Sequence, residues 1–107
     1  MSQNNLQQET QMLLEGWEIN GASLEIKRGK EVIKLRRKEF ELLQFLLNHR
    51  NKVVNKHAIL EYVWNYDMQA QSNTLEVHMA NLRQKLHQKT SRKIIQTVHG
   101  AGYRLLV

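Results

Sequence analysis

Hydrophobic positions change rhythm twice along this chain. From Trp17 to Leu35 they come in short strand-like groups: Trp17–Ile19, Ala22–Ile26 with Leu24 and Ile26 alternating, and Val32–Leu35. Asn20-Gly21, the strongest short hairpin signal, separates the first two, and Arg28-Gly29-Lys30 turns between the second and third. This stretch predicts a small antiparallel meander. From Arg36 the period lengthens. Phe40, Leu43, Leu46 and Leu47 recur at helical spacing and predict a helix over Arg37–Asn48. Val53-Val54 reads as a short extended piece, and Asn55 as the N-cap of a second helix, Lys56–Trp64, burying Ile59, Leu60 and Val63. Asn65–Gln71 is polar and irregular. A third helix begins around Ser72, where Asn73 and Glu76 have the spacing of a capping box, and runs to about Gln88. Ile94–Val98, a Gly100/Gly102 turn and Tyr103–Val107 then predict a hairpin.

The reading is an α+β chain of one domain. Helix, helix, loop, helix and a two-stranded ribbon is the element order of a winged helix-turn-helix, here with a β-sheet in front. Residues 16–107 form that domain, and Met1–Glu15, rich in Gln and Asn without turn chemistry, is expected to be a flexible lead-in or the end of a linker.

Charge sharpens the picture once it is located. The net charge is +6. Residues 77–107 contain Arg83, Lys85, Lys89, Arg92, Lys93 and Arg104 and no carboxylate, so the whole excess lies there, beside His78, His87 and His99. Such asymmetry points to a polyanionic partner at one end of the domain, although an ordinary solvated basic surface would give the same count.

On the third helix, 100° spacing places Leu75, Met79, Leu82 and Leu86 on one stripe, the core side. The opposite face carries Asn73, Val77, Ala80, Asn81, Gln84 and Gln88, flanked by Arg83 and His87 on one side and by Thr74, His78 and Lys85 on the other. Amides suit adenine edges, small apolar groups suit the thymine methyl, and marginal cations suit phosphates, which is the arrangement that major-groove readout needs. In the hairpin, Gly100 and Gly102 bracket a tight tip with His99 on it, and Thr97, Tyr103 and Arg104 are donors able to reach phosphates.

Leu35 followed by Glu39-Phe40-Glu41-Leu42-Leu43, then Val53-Val54, Leu60 and Val63-Trp64, resembles the OmpR/PhoB-type effector domain of bacterial response regulators. So do Asn73-Thr74-Leu75-Glu76-Val77-His78-Met79 and the ending Ile95-Gln96-Thr97-Val98-His99-Gly100-Ala101-Gly102-Tyr103-Arg104-Leu105. Ser72–Leu82 is most similar to the polymyxin-resistance and quorum-type branch. The resemblance implies a four-stranded N-terminal sheet, a third helix in the major groove and a wing on the adjacent backbone or minor groove. It implies sequence-specific binding of double-stranded DNA for transcription regulation, in the cytoplasm and without a cofactor. By matching position, Val77 and Asn81 face bases, while Trp64, Asn73, His78, Arg83, Thr97 and Tyr103 hold phosphates. The loop Asn65, Tyr66, Asp67, Met68, Gln69, Ala70, Gln71 matches the segment that meets RNA polymerase. The family further implies direct-repeat sites, a second copy bound head-to-tail, and a phosphorylatable receiver domain in the full-length protein, of which residues 1–15 would carry the linker.

The chain departs from that pattern in three places. Arg36-Arg37 stand where the family usually has Thr or Ser followed by Pro, so no side-chain cap is expected there. Asn73, Ala80 and Asn81 occupy positions that are often Arg. His99 replaces the usual wing arginine, which makes a contact there depend on imidazole protonation.

Other classes fare poorly. The chain has no cysteine, its serines lie in no nucleophile motif, and its five histidines show neither HxH nor HExxH spacing, so neither enzyme chemistry nor a metal site is indicated. No apolar run approaches the ~18 residues of a membrane span. The rival that survives is a winged helix used mainly for contact with polymerase or a partner regulator, because fold alone does not fix function.

Overall fold

The computed structural model describes residues 11–12, 15–65, 73–90 and 93–107. Four strands, β1 (Gln11–Met12), β2 (Glu18–Asn20), β3 (Glu25–Arg28) and β4 (Glu31–Lys34), form an antiparallel meander in chain order. β1 lies inside the segment expected to be a lead-in and pairs Gln11 with Ile19 and Met12 with Glu18, which supplies the fourth strand of the sheet. Trp17, Ile19 and Ile26 are each 1% exposed and line its inner face.

The Asn20-Gly21 signal marks a hairpin but not the two-residue turn expected of it. Asn20 pairs with Glu25, leaving a loop of four residues. The Asn20 Oδ1 accepts the backbone N–H groups of Ala22 (2.9 Å) and Ser23 (3.3 Å), so the side chain competes for donors that a tight turn would use otherwise. Leu24, expected in the strand, takes a left-handed φ of 57° to re-enter it. Arg28-Gly29-Lys30-Glu31 is the tighter turn, with Gly29 at φ 59° and Arg28 paired to Glu31.

Three helices follow: α1 (Arg37–Asn48), α2 (Lys56–Trp64) and α3 (Thr74–His87). α1 is central; Leu42, Leu43, Leu46 and Leu47 are 0–1% exposed. Arg36 offers no acceptor at its start, but Glu39 reaches back and accepts the Arg36 backbone N–H at 3.0 Å, half of a capping box. α2 begins as expected: the Asn55 Oδ1 accepts the Ala58 N–H at 2.7 Å. It ends at Asn65, whose φ of 53° closes the last turn. The capping box expected at α3 does not form. Asn73 has ψ 14° rather than the extended value that aims an N-cap side chain at the first turn, and it makes no cap bond. Glu76 instead pairs with Lys56 on α2, at 2.8 Å.

The C-terminal ribbon is three-stranded rather than two-stranded. β6 (Ile95–Val98) and β7 (Gly102–Leu105) pair as a hairpin, and β5 (Val53–Val54) adds to the other edge of β7, Val54 opposite Tyr103 and Val53 opposite Arg104. Gly102 makes this possible. At φ 145° it lies so close to β5 that a Cβ would stand 2.0 Å from the Val54 carbonyl oxygen. Asn51 ties the same edge to the C-terminus, its side chain bonding both the N–H and the C=O of Val107 at 3.2 Å. The core is thus shared by the N-terminal sheet, the helices and the wing base, where Ile95 and Leu105 are buried.

Candidate nucleic-acid interface

α3 buries Leu75, Met79, Leu82 and Leu86, each at most 1% exposed, which is the stripe read from the sequence. Truncating any one of these leucines would cost about 2–5 kcal/mol, so the orientation of the helix is firmly set. Its opposite face is thereby held outward. Val77 is 48% exposed, Ala80 and Gln84 are exposed, and Asn81 is half-buried beside them.

The margins differ from one side of α3 to the other. On the wing side, an Arg83 Nη2 donates to the Thr97 Oγ1 and the guanidinium lies 5.4 Å from the centre of the Tyr103 ring. These contacts hold Arg83 in one orientation between helix and wing. Arg83, His87, Lys93, Ile95, Gln96 and Thr97 line a cleft there that contains no carboxylate. The His87 Nε2 accepts the Ile95 N–H at 3.2 Å, so the ring is neutral; burial, then Arg83 and Lys93, hold its pKa below the ordinary 6.5.

On the other side the helix's own cation, Lys85, is engaged. The Lys85 Nζ donates to Glu39, a carboxylate 1% exposed, and also approaches the Lys34 carbonyl at 3.4 Å. At the N-terminal end of α3, the His78 Nδ1 lies 2.8 Å from the Thr74 carbonyl, which can only accept, so Nδ1 carries the proton of that bond. The Trp64 indole packs edge-on against that ring at 5.1 Å, and Lys38 stands over its face at 5.9 Å. Lys56 and Glu76 shift each other, the amine up and the carboxylate down, each mainly through their hydrogen bond.

The wing tip is a turn closed by the Ala101 N–H on the Val98 carbonyl (2.9 Å), with Gly100 at φ 76°. His99, Gly100 and Ala101 are exposed. The tip, Thr97 and Tyr103 face the start of α2 across a groove floored by Asn55, Lys56 and His57.

A match to the family described as "Transcriptional regulatory protein, C terminal" spans residues 29–105, from the β3–β4 turn through the wing. The chain belongs to that family. It is 31% identical over 91 residues to the phosphate regulon transcriptional regulatory protein PhoB of Shigella flexneri, covering 85% of this chain and 40% of the relative. Among solved structures, the C-terminal domain of the nisin resistance regulator NsrR, a lantibiotic response regulator, superposes with a TM-score of 0.75 at 30% identity, covering 91% of this chain and 98% of that one. The DNA-binding domain of the response regulator AdeR, solved with an intercistronic region, gives 0.73 at 26% identity over 88% and 97%. The chain spans less than half the length of the curated relatives it matches. The domain is therefore of the OmpR/PhoB type with a winged-helix fold, in a family of regulators rather than enzymes.

Within this domain the structure gathers Val77, Asn81 and Gln84 on one surface and draws Arg83, Thr97 and Tyr103 together at its edge. Arg104 stands apart. It pairs with Gln96 (3.1 Å) on the wing face opposite to Thr97 and Tyr103, as the two-residue period of a strand requires. Asn73 and Thr74 lie at the α3 entry, and of the expected polymerase loop only Asn65 falls among the described residues. Lys56 and His57 were not singled out from sequence, and Lys93 was counted there only within the basic excess of residues 77–107. Asn55 announced the α2 N-terminus, but its place beside the wing follows from the β5–β7 pairing, which no local signal marks.

Proposed function

We propose that this domain binds double-stranded DNA sequence-specifically to regulate transcription, with α3 in the major groove and the wing on the adjacent backbone or minor groove. The carrying observation is the outward face of α3: Val77, Ala80, Asn81 and Gln84, apolar or amide side chains without a carboxylate, edged by an Arg83 held in place by the wing. Val77 and Asn81, with Gln84, read base edges; Arg83, Thr97 and the exposed His99 tip meet the backbone. Head-to-tail pairing on direct repeats about one helical turn apart, contact of residues 65–71 with RNA polymerase, control by a receiver domain and a cytoplasmic setting belong to the same reading.

The test is a salt titration on duplex sites selected from a random library. Log K should fall linearly with log salt, by about 0.9 per phosphate contacted. Asn81→Ala should relax preference at one base position, at a cost of about 1–3 kcal/mol on the selected site, and Arg83→Gln should weaken all sequences alike. Binding that ignores salt, or selection that returns no preferred sequence, refutes the proposal.

A further inference from the structure

Arg36 is the N-cap of α1, and Arg37 and Lys38 follow it in the first turn. Cations in the first turn of a helix oppose the positive end of its dipole, so this run is locally unfavourable. Lys38 has a structural use: its Nζ donates to the Val63 carbonyl at 2.7 Å and stands over Trp64. The Arg36 side chain has none. Glu39, the nearest acid in the chain, is engaged by Lys85 and by the Arg36 backbone N–H, and the Arg36 guanidinium pairs with no carboxylate among the described residues.

Its position is informative. Arg36 shares a shallow cleft with Asn81, Gln84, Lys85 and Glu39, on the side of α3 away from the wing. Lys85, the cation that the sequence offers on that side, has its charge matched by a buried carboxylate. Among the described residues on that side, the exposed Arg36 is then the cation bordering the two amides that no carboxylate offsets. A helix lying in a major groove is bounded by a phosphate backbone on each side. Arg83 and the wing serve one of them.

We propose that Arg36 is a DNA-contacting residue that grips a phosphate on the opposite wall of the groove, across α3 from the wing. This rests on the DNA-binding reading given above. A locally unfavourable residue kept at a functional edge is what a stability cost exchanged for binding looks like.

The experiment compares the parent domain with Arg36→Gln, Arg36→Lys and Arg37→Gln on one selected duplex, from about 50 to 200 mM salt. Arg36→Gln should lower the slope of log K against log salt by about 0.9, so that its affinity deficit shrinks roughly 3.5-fold across that range. Base preference should be unchanged, Arg36→Lys should restore the slope, and Arg37→Gln, which lies outside the cleft, should keep it. Because the variant removes a cation from the α1 N-terminus and leaves the Arg36 N–H on Glu39, its unfolding midpoint should hold or rise while its DNA affinity falls. A parental slope in Arg36→Gln overturns the proposal, as does an equal drop in Arg37→Gln, which would mean diffuse charge rather than contact. A parent that binds no duplex selectively overturns the DNA-binding reading itself.

Discussion

Replacing Lys85 by Met removes the ammonium that faces Glu39 while keeping the aliphatic bulk on α3. Glu39 is 1% exposed and keeps one other bond, from the Arg36 backbone N–H. Breaking one partner of a buried ion pair costs about 3–5 kcal/mol, because the surviving charge has lost its water and gained nothing. The Lys85 side chain is 31% exposed, so water can partly replace the ammonium, and we expect about 2–4 kcal/mol. For a domain of this size that corresponds to a fall in Tm of roughly 10–25 °C. Urea denaturation of Lys85→Met and of the double variant Glu39→Gln/Lys85→Met provides the assay. The double variant should recover most of the loss, since a neutral amide at position 39 still accepts the Arg36 N–H and carries no charge to strand. The same pair separates structure from DNA contact. Well below its unfolding midpoint, Lys85→Met should retain the parental salt slope of DNA binding. Stability within ~0.5 kcal/mol of the parent, or a double variant no better than the single, would refute the argument. A salt slope lowered by about 0.9 would show that Lys85 meets phosphate after all.

Two further outcomes follow from the wing. Gly102→Ala forces a Cβ onto the Val54 carbonyl at a φ that L-residues avoid, and should cost about 2–4 kcal/mol in denaturation experiments. Gly100→Ala, with open space around its Cβ, should cost only about 1–2 kcal/mol, and equal losses would argue against the close β5–β7 approach. His87 has its pKa lowered by burial, Arg83 and Lys93, so the unfolded chain binds the proton more readily. Its contribution is therefore intact above the unfolded value of about 6.5 and is lost as pH falls from there toward the folded value. His87→Gln should flatten the stability profile between roughly pH 7.5 and 5.5, and an unchanged profile would assign the slope to another group.

The helices were legible because each carries its signal within itself. The apolar spacing of α1 and α3, and the Asn55 cap of α2, depend on residues three or four apart, and the buried stripe of α3 emerged as read. Local signals failed where a distant partner competed. Glu76 had the spacing for a capping box but lies within reach of Lys56, and an ion pair between helices replaced the bond to the backbone. Asn20-Gly21 marked a hairpin, yet the Asn20 side chain took the donors that would have closed a two-residue turn.

The proposed binding surface divides in the same way. Period and composition by themselves determined that Val77, Asn81 and Gln84 share a carboxylate-free face, since a helix of 3.6 residues per turn leaves them no other arrangement once Leu75, Met79, Leu82 and Leu86 are buried. Which cations border that face was decided by tertiary structure alone. Lys85 is bound to a carboxylate 46 residues away, Arg83 is held by a wing residue 14 residues on, and Arg104 is turned to the far side of the ribbon by the register of β6 and β7. Lysine and arginine side chains are long and flexible, and their sequence positions fix only where they start. Where their charge ends up depends on which buried or preorganised acceptor the fold brings within reach, and that becomes known only when the chain has packed.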